Sequence, residues 1–212
     1  MAITNKRSVI SLYSGVKDPY SHQVRIVLEE KGVTFDIIDV DSSIKAKEEI
    51  AEYNPYGIVP ILVDRDLVLY KAEIITEYID ERFPHPPLLP VYPVLKSRSR
   101  LMIYRINKDW YTLMNKILDQ NVLEELKVKL RQDLLDSLLS VIPIFAENPY
   151  FLSEEFSLID CWIAPLLWRL PKMEIELPQN TAKAIINYKN KIFARASFQA
   201  SLTEVEKTMY IS

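Results

Sequence analysis

The 212-residue chain has one cysteine, two histidines and three glycines, and no apolar run reaches the roughly 18 residues of a membrane span. The single cysteine, Cys161, excludes an internal disulfide and a cysteine-based metal site, and it favours a reducing, cytoplasmic compartment. Two histidines and one cysteine, far apart in sequence, predict neither a metal site nor a nucleophile–base pair. With three glycines the chain has no glycine-rich phosphate loop. Residues 1–8 are short and polar, so no secretory signal is predicted.

The chain also has no excess of basic over acidic residues. The formal net charge is −3 at pH 7. Residues 1–83 carry 10 Lys and Arg against 15 Asp and Glu, and residues 84–212 carry 16 against 14. Because duplex-binding domains usually present a basic face, direct nucleic-acid binding is not expected.

Proline is abundant in one place. Residues 84–93 contain five prolines, and His85 has a proline on each side. Proline fixes its own φ, removes a backbone donor and restrains the preceding residue, so this stretch can be neither helix nor inner strand. We call residues 84–95 the proline ledge. From its residues alone it is either a stiff linker between two domains or an exposed binding surface that holds His85 in place.

The composition before the ledge alternates between strand and helix signals. Val24, Val27 and Leu28 fall at helical spacing after Pro19, and Gly32 can supply a left-handed helix end. A helix between two strands predicts that these strands are parallel. The predicted elements are a strand at 8–13, a helix at 19–31, a strand at 34–40, a helix at 46–53, strands at 61–64 and 67–70, and a helix at 72–82.

After the ledge, the pattern is helical throughout. Two long helices are predicted at 96–118 and 124–145. Ser157 and Asp160 have the spacing of a capping box, and Pro165 is expected to kink the helix that follows, at a cost of about 3 kcal/mol. A stripe of leucines in the second long helix predicts a buried face: Leu123, Leu126, Leu130, Leu134 and Leu138.

This order of elements, together with Val59-Pro60 before the third strand and the Ser-x-x-Asp helix start, resembles the glutathione transferase superfamily. The resemblance covers nearly the whole chain. It implies a thioredoxin-like α/β domain at 1–83, the ledge at 84–95 and an all-helical domain at 96–212. It also implies that Pro60 follows a cis bond and that the neighbouring backbone pairs with glutathione in active members.

Within the superfamily, the closest resemblance is to a bacterial family of RNA-polymerase-associated starvation proteins. The segments that carry it are 20–28, 80–88, 90–93, 108–115 and 164–171. The resemblance implies that Pro84-His85-Pro86 contacts RNA polymerase holoenzyme at its housekeeping sigma factor. Pro87 and Tyr92 are expected at the rim of that contact.

The residues that a glutathione transferase needs are missing. Such an enzyme stabilises a thiolate at the N-terminus of the first helix, where free N–H groups suit an anion. By resemblance the matching residue is Asp18, which is already anionic and is better interpreted as a helix N-cap. Ser14 is an alternative donor, although serine is common in turns. Tyr13 and Tyr20 are further alternatives that more often pack in a core.

A second glutathione contact is also absent. Active relatives hold the γ-glutamyl end with a Glu/Gln-Ser pair after the fourth strand, and Lys71-Ala72 stands at that position. Cys161 lies just inside a capped helix, where its pKa could fall, but Trp162 and the apolar residues after it favour a buried core position. His22 is predicted on the first helix. No catalytic residue, metal or cofactor is therefore predicted.

The sequence favours a cytoplasmic transcriptional regulator that works by binding RNA polymerase and has no enzymatic activity. Relatives dimerise through the helices before and after the ledge, so a homodimer is expected. A basic row on the second of these helices is either a solvated face or a contact to the other subunit: Lys96, Arg98, Arg100, Arg105 and Lys108. Two alternatives remain, a glutathione-dependent transferase using Ser14 or Tyr20 and a dimeric adaptor for another protein.

Overall fold

A computed structural model describes residues 9–42 and 44–209. The chain divides into two compact units at Pro86 and Pro87, inside the proline ledge. The first unit has the predicted order of elements. These are β1 (Ile10–Ser14), α1 (Pro19–Glu30), β2 (Phe35–Asp39), α2 (Ile44–Tyr53), β3 (Ile61–Asp64), β4 (Leu67–Tyr70) and α3 (Ala72–Arg82). Ser8, the predicted start of the first strand, lies outside the described residues.

The four strands form one mixed sheet in the order β2-β1-β3-β4. The β1 and β2 strands are parallel, as the intervening helix predicts, whereas β3 pairs antiparallel with both β1 and β4. The side chains of Tyr13, Val40, Ala46, Ile50 and Ile61 form a buried cluster of this unit. This is the thioredoxin-like domain of the predicted fold class.

Helix α1 has well-defined ends. The carboxylate of Asp18 accepts the backbone N–H of Ser21 at 2.6 Å, and Pro19 occupies the first turn, where a missing N–H costs nothing. At the other end, Gly32 has a φ of +60° and continues the chain out of the helix at Lys31. Helix α1 packs against α3.

In the described part of the second unit, residues 87–209, the regular elements are helical. They are α4 (Pro93–Ile106), a π-helical segment (Asn107–Tyr111), α5 (Thr112–Leu118), α6 (Glu124–Ser140), α7 (Ile142–Glu147), α8 (Leu158–Trp168), a 3₁₀ turn (Pro171–Met173), α9 (Lys183–Phe193), α10 (Ala196–Ser201) and α11 (Glu204–Thr208). None of the helices in the described part of the chain is long and apolar enough to cross a membrane.

The two long predicted helices are each interrupted. The first begins at Pro93 instead of residue 96 and contains the π-helical segment before α5. The second ends at Ser140, and α7 follows from Ile142. Pro143 explains this break, because it cannot donate a backbone hydrogen bond to the preceding turn.

The prediction of a buried leucine stripe is wrong for its first part. Leu130, Leu134 and Leu138 are buried, whereas Leu123 is 76% exposed and Leu126 is 48% exposed. Leu123 precedes the first residue of α6, Glu124, and Leu126 lies in its first turn, where the side chains up to Lys129 are exposed or half-buried.

Helix α8 is buried along its whole length. The carboxylate of Asp160 accepts the N–H of Ser157 at 2.8 Å and its hydroxyl at 3.0 Å. The helix continues through Pro165 to Trp168. Its apolar side chains, with Cys161 among them, therefore lie in the core of the second unit.

Candidate functional site

The first part of the ledge belongs to the first unit and is exposed. Pro84, His85 and Pro86 follow α3 without helix or strand, and all three side chains are accessible to solvent. Helix α3 ends where the N–H of Phe83 donates to the carbonyl of Ile79 at 2.9 Å. The His85–Pro86 bond is cis, as is Val59–Pro60.

A buried lysine anchors this segment. Lys31 Nζ donates to the carbonyl oxygen of Pro86 at 2.5 Å and lies 2.6 Å from Oδ1 of Asp80. The Lys31 side chain is fully buried, and that of Asp80 is nearly so. One ammonium group therefore links the end of α1, the last turn of α3 and the backbone of the ledge. No local sequence pattern predicts this contact, because Lys31 and Asp80 are 49 residues apart.

The rest of the ledge belongs to the second unit. Pro87 and Tyr92 are exposed there, Tyr92 to 74%. Between them, Leu88 and Leu89 are buried. The carbonyl of Leu88 accepts the N–H of Leu158 at 2.8 Å, so the first residue of α8 fixes the backbone of this part.

The alternative catalytic donor, Ser14, is enclosed. Its side chain is buried, and its hydroxyl oxygen accepts a hydrogen bond from Nη1 of Arg25 at 2.5 Å. The Arg25 side chain is itself buried and also reaches the carbonyl of Gly15 at 3.4 Å. A substrate thiol could reach Ser14 only if this arrangement opened.

The tyrosine alternatives are no better placed. Tyr13 is buried and donates its hydroxyl to Oε2 of Glu49 at 2.6 Å. Burial, and secondly the hydrogen bond to Glu49, raise the pKa of Tyr13 above its ordinary value, so the phenol keeps its proton. Tyr20 is half-buried in the first turn of α1.

The N-terminus of α3 offers no serine hydroxyl to a γ-glutamyl group. Lys71 is exposed, with a φ of +73°, and precedes Ala72, whose methyl group is buried. The first turn of α3 carries Glu73, which adds a negative charge. Lys71 and Ala72 thus provide a cation and a methyl group at the positions predicted to have lost the ligand contact.

Other candidate chemistry is scarce. Cys161 is a buried thiol that forms no disulfide, and His22 is fully buried on α1. Within residues 9–42 and 44–209 no group of His, Cys, Asp and Glu side chains could hold a metal ion. A mainly apolar cavity of about 510 Å³ lies in the second unit between α4 and the segment 151–159. Arg98 and Arg105 line it, and no predicted catalytic donor does.

Helix α4 exposes apolar side chains to solvent. Val94, Leu101 and Tyr104 are each more than half exposed, and their spacing of seven and three residues places them along one side of the helix. Of the basic row, Lys96 is half-buried and the other four side chains are exposed.

Comparison with known proteins agrees with this fold. Residues 8–81 match the family model of the glutathione S-transferase N-terminal domain. A solved Tau class glutathione S-transferase from mango, Mangifera indica, has a TM-score of 0.81 with 20% identity and covers 97% of each chain. At that identity the likeness shows the fold alone.

More similar sequences decide the family. A stringent starvation protein A homolog from Coxiella burnetii is 51% identical over 204 residues, or 96% of each chain. A second, from Pasteurella multocida, is 50% identical over 93% of this chain and 92% of its own. The chain belongs to the stringent starvation protein A family. In this member of the stringent starvation protein A family, the glutathione transferase fold is combined with an enclosed Ser14 and an exposed Pro84-His85-Pro86.

Proposed function

We propose that the protein is a transcriptional regulator of the bacterial stress and stationary-phase response, located in the cytoplasm. It binds the sigma-containing RNA polymerase holoenzyme and has no glutathione transferase activity. Pro84, His85 and Pro86 form the contact surface, with Pro87 and Tyr92 at its rim. The observation that carries the proposal is the exposure of this proline-rich segment, whose backbone carbonyl at Pro86 accepts a hydrogen bond from the buried Lys31.

The segment suits docking for a physical reason. Prolines at 84, 86 and 87 restrict the backbone on both sides of His85, so little conformational entropy is lost when a partner binds. The exposed pyrrolidine rings fit aromatic or aliphatic pockets, as in other proline-rich recognition. The His85 imidazole adds hydrogen-bonding groups that such a pocket can select.

The absence of enzymatic activity is proposed on three observations. Asp18 fills the N-terminus of α1 with its own carboxylate. Ser14 is buried against Arg25, and Ala72 has no hydroxyl. A glutathione thiolate would therefore meet a negative charge at the helix end and find no donor there. The name shared by the similar sequences, stringent starvation protein A, favours regulation over catalysis.

The test is co-migration of the purified protein with RNA polymerase on gel filtration at moderate salt, with core enzyme and holoenzyme compared. A Pro84→Ala/His85→Ala/Pro86→Ala variant is expected to stop migrating with holoenzyme while keeping its circular dichroism and melting temperature. Pro55→Ala/Tyr56→Ala changes another exposed loop of the first unit and serves as the control. Unchanged binding by the triple variant would refute the proposed surface.

A separate measurement tests the lack of catalysis. Wild-type protein is expected to pass through immobilised glutathione without retention, and to show no turnover with glutathione and an electrophilic acceptor. A catalytic glutathione transferase assayed in parallel shows that the conditions support the reaction. Specific retention of the protein on glutathione, together with turnover, would refute this proposal and support the alternative of a glutathione-dependent transferase.

We also propose that the protein is a homodimer formed through α3 and α4. Val94, Leu101 and Tyr104 form an exposed apolar side of α4. Burying this surface against a second copy of the chain lowers the free energy. Light scattering after gel filtration is expected to give twice the mass of one chain. Leu101→Glu should shift the protein toward monomer, while Leu126→Glu, at an exposed position of α6, should not. A monomer mass for the wild type would refute the proposal.

A further inference from the structure

The prolines restrict the torsions of the ledge, but they provide few hydrogen-bond donors that could fix it against the rest of the unit. Proline has no N–H, so His85 carries the one backbone N–H between Phe83 and Leu88. A segment with so few donors forms neither a helix nor a sheet ladder, and its fixed position must come from hydrogen bonds donated by other parts of the chain. In the first unit, Lys31 Nζ donates such a bond to the carbonyl of Pro86.

Burial makes this contact unusual. Lysine keeps its ammonium group in water in most proteins, yet the side chain of Lys31 is fully buried. Removing an ammonium group from water is unfavourable unless the charge is paired and hydrogen-bonded. Asp80 supplies the counter-charge at 2.6 Å, and the carbonyl of Pro86 takes a second donor of the ammonium group.

We propose that Lys31 is the positioning residue of the docking surface, with Asp80 as its counter-ion. Its ammonium group fixes the carbonyl of Pro86, which turns the backbone polar group inward and leaves the pyrrolidine rings and His85 facing outward. The effect on partner binding rests on the proposed function. The effect on the order of the ledge does not.

A purely structural role for the pair would be different. In that case Lys31 and Asp80 would only join α1 to α3, and an apolar pair of similar size could replace them without effect on the ledge. The variant that separates the two roles is Lys31→Met/Asp80→Leu. It removes both charges together, so that neither is left buried alone, and it also removes the hydrogen bond to Pro86. Asp80→Asn removes the ion pair but keeps Lys31.

The chain provides a reporter for the ledge. Labelling with ¹⁵N-histidine gives two backbone amide signals, His85 in the ledge and His22 in buried α1. In wild-type full-length protein both order parameters should be near the rigid value of about 0.85. In Lys31→Met/Asp80→Leu, that of His85 should fall below about 0.6 while His22 stays unchanged. Asp80→Asn should leave His85 rigid.

Lys47→Met, at an exposed position of α2, is the matched control and should change neither signal. A rigid His85 in a folded Lys31→Met/Asp80→Leu protein would overturn the proposal. If that variant does not fold, the order parameters are measured in Lys31→Met/Asp80→Asn, which also leaves no buried charge and keeps a polar side chain at position 80, and there a rigid His85 has the same meaning. A mobile His85 in either folded variant, next to an unchanged His22, supports it.

Holoenzyme binding is the second readout. Fixing the backbone of one additional residue during docking should weaken binding by Lys31→Met/Asp80→Leu about 5- to 30-fold at a temperature where the variant is folded. Equal affinity with a mobile His85 would overturn the positioning role in binding. If wild-type protein does not bind holoenzyme, the proposed function fails, and the amide measurement still decides whether Lys31 orders the ledge.

Discussion

Asp160 is the residue whose replacement should destabilise the second unit most clearly. Its buried carboxylate accepts four hydrogen bonds. One oxygen accepts the N–H of Phe151 at 3.0 Å and the hydroxyl of Tyr188 at 2.6 Å, and the other accepts the N–H and hydroxyl of Ser157. A single side chain thereby joins the start of α8, the preceding segment and α9.

The cost of Asp160→Ala follows from the donors that it leaves behind. The N–H of Phe151 and the hydroxyl of Tyr188 are buried, and each loses this acceptor at about 1–3 kcal/mol. Loss of the capping interaction with Ser157 adds about 1 kcal/mol. The substitution also removes the cost of keeping a carboxylate away from water, which offsets part of this loss. We therefore expect a decrease of about 3–5 kcal/mol in the free energy of unfolding. For a chain of this length that lowers the melting temperature by about 6–20 °C.

Urea denaturation followed by circular dichroism measures this free energy, and a double-mutant cycle identifies its source. Tyr188→Phe alone should cost about 1 kcal/mol. In Asp160→Ala/Tyr188→Phe the orphaned hydroxyl is absent, so the double variant should lose less than the sum of the two single variants. Strict additivity, or a loss below about 1.5 kcal/mol for Asp160→Ala, would refute this reasoning.

The same carboxylate should make stability depend on pH. Burial raises the pKa of Asp160, and the hydrogen bonds from Tyr188, Phe151 and Ser157 oppose this shift only in part. A folded-state pKa above the unfolded value means that the contribution is complete below about pH 3.9 and is lost as pH rises through the folded pKa. The stability of wild type relative to Asp160→Asn should therefore fall as pH rises from about 4. An opposite slope would contradict the raised pKa.

Three further predictions concern other described contacts. Arg169→Met should cost about 3–5 kcal/mol because it removes the buried cation that lies against the carboxylate of Glu206, and Arg169→Met/Glu206→Leu should recover most of this in urea denaturation. Leu134→Ala should cost about 2–5 kcal/mol at a fully buried site, whereas Leu126→Ala, at a half-exposed site, should cost less than half as much; equal losses would contradict the burial of α6. Ser14→Ala should leave holoenzyme binding unchanged, and a defect in a folded variant would give Ser14 a role that we do not propose.

The sequence predicted the first unit well because its signals are local. Pro19 and Gly32 mark the two ends of α1, and the succession of strands and helices along the chain follows from residue patterns over short stretches. The interrupted helices of the second unit were harder to predict. Pro143 is a local signal for the break between α6 and α7, whereas the π-helical segment Asn107–Tyr111 has no distinguishing composition. The leucine stripe identified a face of α6 but could not indicate what covers that face.

In the candidate site, too, local features could be predicted from the sequence and contacts between distant residues could not. The exposure of Pro84-His85-Pro86 agrees with a proline content that excludes helix and inner strand. The contact of Lys31 with Asp80 and Pro86 could not be predicted from local sequence, because Asp80 is 49 residues from Lys31 and lysine is ordinarily exposed. A signal did exist for Arg25, which stands between Val24 and Ile26 in an apolar stretch, where a charged residue indicates a buried partner.

The two ends of helix α1 bear on the two parts of the proposed function, the lack of catalysis and the docking surface. At its N-terminus the carboxylate of Asp18 accepts the N–H of Ser21 and places a negative charge at the positive end of the helix dipole. At its C-terminus Lys31 directs its ammonium group to the backbone of Pro86. In the proposed function, the N-terminus of α1 does not bind a thiolate, and the residue at its C-terminus positions the ledge. Because these two ends use different residues, Asp18→Ala should leave the order of His85 unchanged while Lys31→Met/Asp80→Leu disturbs it.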